Sequence, residues 1–232
     1  MSCEPRHALT EEGGTVAVDQ VPLRQIADQF GTPCYVYSAQ TLRTQYRQLA
    51  TALGPIDAKI HYSVKANSNL GILQLFKDLG AGFDIVSGGE LSRVLAVGGD
   101  PKDVIFSGVG KSTAEIDLAL KVGVGCFNVE SHSELIRIQQ RAEVAEKVAP
   151  ISIRVNPDVD AKTHPYISTG LKNNKFGVDA ETALTLYSIA ADANALRIDG
   201  IDCHIGSQIA DADPLLQALS SVLELVDILS SR

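Results

Sequence analysis

From residue 59 onward, two hydrophobic rhythms take turns along the chain. Short runs in which apolar and polar residues alternate are followed by longer stretches with helical spacing. The period-two runs predict strands at 59–66, 82–86, 104–107, 125–129, 151–156 and 199–205. The helical spacing predicts helices near 70–79, 89–97, 113–122, 132–147, 180–192 and 214–229, with an earlier one over 38–52 behind the apolar stretch Cys34-Tyr35-Val36-Tyr37. Three helix starts, Ser87…Glu90, Ser112…Glu115 and Ser131…Glu134, have capping-box spacing, so Glu90 is read as a cap residue rather than an acid catalyst. Strand then capped helix, repeated, predicts βα units on a parallel sheet. Six units are visible, whereas a closed (β/α) barrel takes eight strands and about 250 residues. The expectation is a barrel cut after about six strands, two short of closure. A six-stranded open, doubly wound sheet is the alternative.

The same alternation assigns faces. Ile60, Tyr62, Val64 and Ala66 point one way; His61, Ser63, Lys65 and Asn67 point the other. Asp84 opposes Phe83 and Ile85. Ser152, Arg154 and Asn156 oppose Ile151, Ile153 and Val155. His204 opposes Ile201, Cys203 and Ile205. If the apolar faces pack on helices, Lys65, Asp84, Arg154 and His204 converge on the C-terminal end of one barrel, where such barrels do chemistry. Each has an ordinary explanation: a solvated lysine, a turn-capping or ion-paired aspartate, a core histidine. Four strands with the same phase argue against four coincidences, because burying so many charges without a ligand is unfavourable by several kcal/mol.

Composition narrows the chemistry. The 232 residues carry a net charge of −8 and show no basic stripe, which speaks against nucleic acid. The four cysteines, at 3, 34, 126 and 203, form no CxxC pair and suit a reducing compartment. No apolar leader and no 18-residue apolar run is present, so a cytoplasmic protein without a membrane span is expected. His204, Asp84 and His61 could in principle bind a metal. The mixture of cationic and anionic groups suits an anionic cofactor better. Gly206-Ser207-Gln208 offers backbone N–H groups and a hydroxyl to a phosphate. A lysine, an imidazole and a phosphate turn in one mouth suggest pyridoxal phosphate.

The residues also resemble a known family. His61 to Asn69, Gly80 to Leu91, Ile105 to Lys111, Arg154 to Pro157 and His204 to Gln208 are similar, in order, to motifs of the fold-type III pyridoxal-phosphate decarboxylases. Within that group, His164-Pro165-Tyr166-Ile167-Ser168-Thr169-Gly170-Leu171-Lys172 with Lys175-Phe176-Gly177 resembles the diaminopimelate decarboxylases. The resemblance implies pyridoxal 5'-phosphate as cofactor and Lys65 as its Schiff-base lysine. It implies His204 stacked on the ring, Ser207 at the phosphate, Asp84 as an orienting carboxylate and Arg154 beside the ring. It implies decarboxylation of meso-diaminopimelate to L-lysine, a small amino-acid substrate, by a homodimer. The family's later glycine-rich strand, its pyridine-pairing glutamate and its C-terminal β-domain have no counterpart within residues 1–232. Residues 1–37 are therefore expected to pack near that β-domain, 38–232 to form a partial cofactor-binding barrel, and 1–232 alone to lack activity. Ornithine or arginine decarboxylases, alanine racemase and a non-catalytic pyridoxal-phosphate-binding relative stand as alternatives.

Overall fold

The computed structural model describes residues 9–12, 14–159, 176–207 and 209–231. An element group that the apolar pattern did not announce comes first. Strands β1 (Leu9–Glu12), β2 (Thr15–Val18) and β3 (Val21–Pro22) form an antiparallel sheet, followed by helix α1 (Leu23–Phe30). Asp19 and Gln20, at φ 48° and 70°, make the two-residue hairpin turn between β2 and β3. The Asp19 carboxylate then accepts from Ser38 Oγ at 2.6 Å and Gln40 N at 3.0 Å, tying the hairpin to the start of helix α2 (Ala39–Leu53). The Cys34–Tyr37 stretch enters no core: Tyr35 is 93% exposed.

The remaining strands are β4 (His61–Ser63), β5 (Gly82–Ile85), β6 (Val104–Phe106), β7 (Cys126–Val129), β8 (Ala149–Arg154) and β9 (Leu196–Asp202). All five pairings are parallel, and the strand order follows the chain order, with β4 and β9 at the two edges. Helices α3 (Leu70–Asp78), α4 (Gly88–Ala96), α5 (Thr113–Val122), α6 (His132–Val144), α7 (Ala180–Ala191) and α8 (Asp213–Ser230) alternate with them. A doubly wound sheet reverses its strand order at a switch point; this one never reverses, so the open-sheet alternative fails. Register assigns the faces. Phe83, Ile85, Val104, Phe106, Phe127, Val129, Ile151 and Ile153 line one face and are almost completely buried. Ser63, Asp84, Asn128, Ser152, Arg154 and Asp202 line the other. One apolar face under helices and one polar face is the arrangement of a barrel wall.

Two sequence expectations shift. The first strand ends at Ser63, and Val64–Ala66 form a 3-10 turn. Strict alternation therefore does not carry Lys65 to the inner face. Tyr62 Oη donates to Asn67 O at 3.1 Å, and Asn67 Oδ1 accepts from Asn69 N at 2.9 Å, bending the chain toward α3 just beyond Ser63. The last strand ends at Asp202, so His204 lies two residues past it. The capping boxes also differ. The reciprocal form is present at Ser112 and Glu115. At the other two starts the glutamate reaches one residue further back: Glu90 Oε2 accepts from Val86 N, and Glu134 Oε2 from Glu130 N, both at 2.7 Å. Ser87 and Ser131 are far more extended (φ −156° and −161°) than Ser112 (φ −74°), which brings the preceding N–H within reach instead.

One irregularity sets the phase of β9. Ile151 pairs with Ile198, but Ser152 pairs with Gly200, leaving Asp199 as an extra residue. Without that bulge Ile201 would face Arg154. With it, Ile201 joins the apolar face opposite Ile153, and Asp202 faces Arg154. The Tyr187 hydroxyl pins the bulge, accepting from Ile153 N at 3.4 Å and donating to Gly200 O at 2.8 Å.

Candidate active site

The inner face is a connected polar layer. Ser63 Oγ donates to Asp84 Oδ2 at 3.1 Å and Ser107 Oγ to Asp84 Oδ1 at 2.5 Å. Asn128 Nδ2 donates to Ser107 Oγ at 3.1 Å, and Ser152 Oγ to Asn128 Oδ1 at 2.5 Å. Below this layer the His61 ring covers the start of β5. A Cβ on Gly82 would lie 2.5 Å from it, so that position admits only glycine. Burial lowers the His61 pKa, and its ring is committed there rather than to a metal set with Asp84 and His204. Among the described residues no group of three or more metal-binding side chains could hold an ion.

Above the layer lies Arg154. Its Nη1 meets Glu130 Oε1 at 3.4 Å, its Nε stands 4.0 Å from Asp202 Oδ2, and its guanidinium lies over the Phe176 ring at 5.5 Å. Its partners are thus Glu130 and Asp202, so the ordinary explanation of Asp84 as an aspartate ion-paired with Arg154 does not hold. Gly177, at φ 72°, lets this segment approach: a Cβ there would meet Arg154 O at 2.9 Å. Burial pushes the Asp202 carboxyl up to about 6, against the pull of Arg154, and Asp84 and Glu130 add to the rise. Burial lowers the His204 imidazole below its ordinary range; Arg154 and Lys65 lower it further, and Asp84 opposes them. That imidazole therefore senses three of the four other expected residues. Ser207 lies exposed beyond Gly206, whose φ of 143° suits glycine, and makes no hydrogen bond to the other four.

The lysines separate cleanly. Lys111 is buried, and its Nζ donates to Gly108 O, Asn128 O and Glu134 Oε1 at 2.7–2.8 Å. Lys59 is paired with Asp103. Lys65 is exposed at the mouth, with no hydrogen bond or ion pair among the described residues. Ser107, Asn128, Glu130 and Asp202 were not singled out from the sequence. Their signal was present: Ser107 shares the phase of Ile105, Asn128 and Glu130 that of Cys126, and Asp202 that of His204. The stretch 164–172, Lys175 and Gln208 lie outside the described residues.

Residues 39–232 match the pyridoxal-binding domain of the pyridoxal-dependent decarboxylases. The chain belongs to the pyridoxal-dependent decarboxylases. Within this family it is 55% identical over 218 residues to the diaminopimelate decarboxylase of Neisseria meningitidis serogroup B, covering 94% of the chain and 53% of that relative. The solved diaminopimelate decarboxylase of Helicobacter pylori, complexed with L-lysine, superposes with a TM-score of 0.88 at 41% identity, over 90% of this chain and 53% of that one. The diaminopimelate decarboxylase of M. jannaschii, with a TM-score of 0.90 at 35% identity, covers 97% of this chain and 54% of its own. The chain spans about half the length of the curated relatives it matches. Its six parallel strands belong to the barrel of this decarboxylase fold. Pyridoxal phosphate is the family's cofactor, and the mouth fits it: among the described residues it holds an unengaged lysine amine, an imidazole, and a buried Arg154 Nε without a hydrogen-bond partner. No helix among the described residues is long and apolar enough to cross a membrane.

Proposed function

We propose that this chain supplies the pyridoxal-phosphate site of a diaminopimelate decarboxylase, a cytoplasmic homodimer that converts meso-2,6-diaminopimelate to L-lysine and carbon dioxide. The observation that carries the reading is the unengaged Lys65 amine at the barrel mouth, within electrostatic reach of His204. The name of relatives at 55% identity supports the substrate. When bound, pyridoxal phosphate supplies the electron sink for the pair released as carbon dioxide departs.

The chain's own residues then have distinct tasks. Lys65 Nζ is the amine that would hold the cofactor at the mouth. Burial and two cations lower the His204 pKa and so favour the neutral imidazole, whose flat face would stack on the cofactor ring. Asp84 opposes the influence of those two cations on His204. Arg154, held between Glu130 and Asp202, would lie beside the cofactor ring. Gly206 and Ser207 offer a backbone amide and a hydroxyl to the phosphate. Residues 1–37 are read as a segment that packs near the family's C-terminal β-domain, and 38–232 as the partial cofactor-binding barrel.

Borohydride reduction with pyridoxal phosphate, followed by peptide mapping, should place the label on Lys65. Label on Lys59 or Lys111 would overturn the assignment. Carbon dioxide release should be fastest from meso-diaminopimelate; faster release from ornithine or arginine would move the protein to another branch of the family. His204→Ala should lower cofactor retention and turnover by about tenfold or more while sparing the fold, whereas a core histidine would lose stability without a cofactor defect.

A further inference from the structure

We propose that Ser107, Asn128 and Ser152 are positioning residues that hold the Asp84 carboxylate in a single orientation at the mouth; the proposal rests on the functional reading above. The ladder runs through neighbouring strands, from Ser152 on β8 through Asn128 on β7 and Ser107 just past β6 to Asp84 on β5. All three positioning residues are buried, at 9% exposure or less, where water does not compete for their hydrogen bonds.

Its proton order has one solution. A carboxylate only accepts, and both Asp84 oxygens already face hydroxyls, Ser63 at 3.1 Å and Ser107 at 2.5 Å. A serine has one proton, and that of Ser107 is committed to Asp84. Ser107 must then accept from its other neighbour, which Asn128 can satisfy only with Nδ2, at 3.1 Å. That turns Asn128 Oδ1 toward Ser152, whose hydroxyl donates at 2.5 Å. Reversing any one link sets two lone pairs or two protons face to face at these distances. The order therefore ends on Asp84 and grips it from the side opposite Ser63, fixing the carboxylate plane. His204 senses that carboxylate, so a shift of its plane changes the field where the cofactor lies. None of the three needs to touch the substrate.

The test uses the holoenzyme carrying Ser107→Ala, Ser107→Thr, Asn128→Asp or Ser152→Ala. Loss of the Ser107 hydroxyl should lower kcat about tenfold, leave KM within about twofold, and weaken the cofactor dissociation constant by about threefold or more. Ser107→Thr keeps the hydroxyl and should restore both values. Asn128→Asp cannot donate and should behave like Ser107→Ala. Because a buried carboxylate there can unfold the chain, Ser152→Ala serves as the milder break, with a smaller change in the same direction. A lowered melting temperature with unchanged kcat and cofactor affinity would show simple space-filling and overturn the proposal. A second readout is independent of turnover. In cofactor-free, 15N-labelled protein the Asn128 side-chain amide should exchange slowly, and Asp84→Asn should speed its exchange, since an amide at 84 no longer dictates the order. Unchanged exchange would overturn the ladder. If Asp84→Ala leaves turnover and cofactor affinity intact, Asp84 leaves the site and the positioning proposal is overturned while the functional reading stands; a parent protein that takes no pyridoxal label on Lys65 would overturn the functional reading instead.

Discussion

Asp202 shows the tension between a site and a stable fold at the scale of one residue. Its carboxyl titrates near 6 in the fold, against an ordinary value of 3.8. Between those values the folded chain keeps a proton that the unfolded chain has lost, so stability falls as pH rises through the window of about 4 to 6 and stays lower above it. Asp202→Asn should remove that dependence and stabilise the protein at pH 7 by about 1–2 kcal/mol, with Arg154 less well held. Urea unfolding at several pH values checks this; an unchanged slope between pH 4 and 6 would contradict it. Lys111 is the opposite case. It is buried and fully satisfied by three acceptors, with Phe106 5.5 Å beneath it. Lys111→Met strands Glu134 in the interior and should cost about 3–5 kcal/mol, part of it recovered in the double variant with Glu134→Gln. Thermal or urea unfolding reads both.

At the scale of elements, the bulge in β9 decides which side chains meet. Tyr187→Phe leaves the Gly200 carbonyl and the Ile153 N–H without a hydroxyl and should cost about 1–3 kcal/mol. Because the bulge holds Asp202 opposite Arg154, turnover should drop with it, and a stability loss without any kinetic change would contradict that role. The sequence made the six βα units legible because their apolar faces are buried under helices and alternate strictly. It placed Asp84 and Arg154 on the inner face for the same reason. Lys65 and His204 were assigned by alternation but stand beyond the ends of β4 and β9, where alternation no longer acts; their place at the mouth comes from the turns that follow. The β1–β3 hairpins are hard to read from the sequence because their apolar residues are exposed, as with Leu9, Val16 and Val21; Gly13-Gly14 does mark the first turn, whereas Asp19-Gln20 carries no glycine to mark the second. Ser107 and Asn128 escaped because serine and asparagine in short strands read as neutral until their partners are known.

At the scale of the whole molecule, strands that pair in chain order have a consequence for how the chain assembles. The first three pairings, His61 with Gly82, Phe83 with Val104 and Ile105 with Cys126, each close the same short interval of 21 residues. The last, Ala149 with Leu196, closes 47. Loop-closure entropy rises by about 0.6 kcal/mol per doubling of length, so this final step is the least favoured of the series. Native-state hydrogen exchange should find the β9 amides opening before those of β5 to β7; equal protection throughout would contradict it. Each early strand can dock on its predecessor soon after it emerges from the ribosome, whereas β9 must wait for a far longer stretch of chain. Asp202 and His204 arrive with β9. Among the six strands, the lysine-bearing wall thus assembles before the strand that brings the imidazole to the mouth.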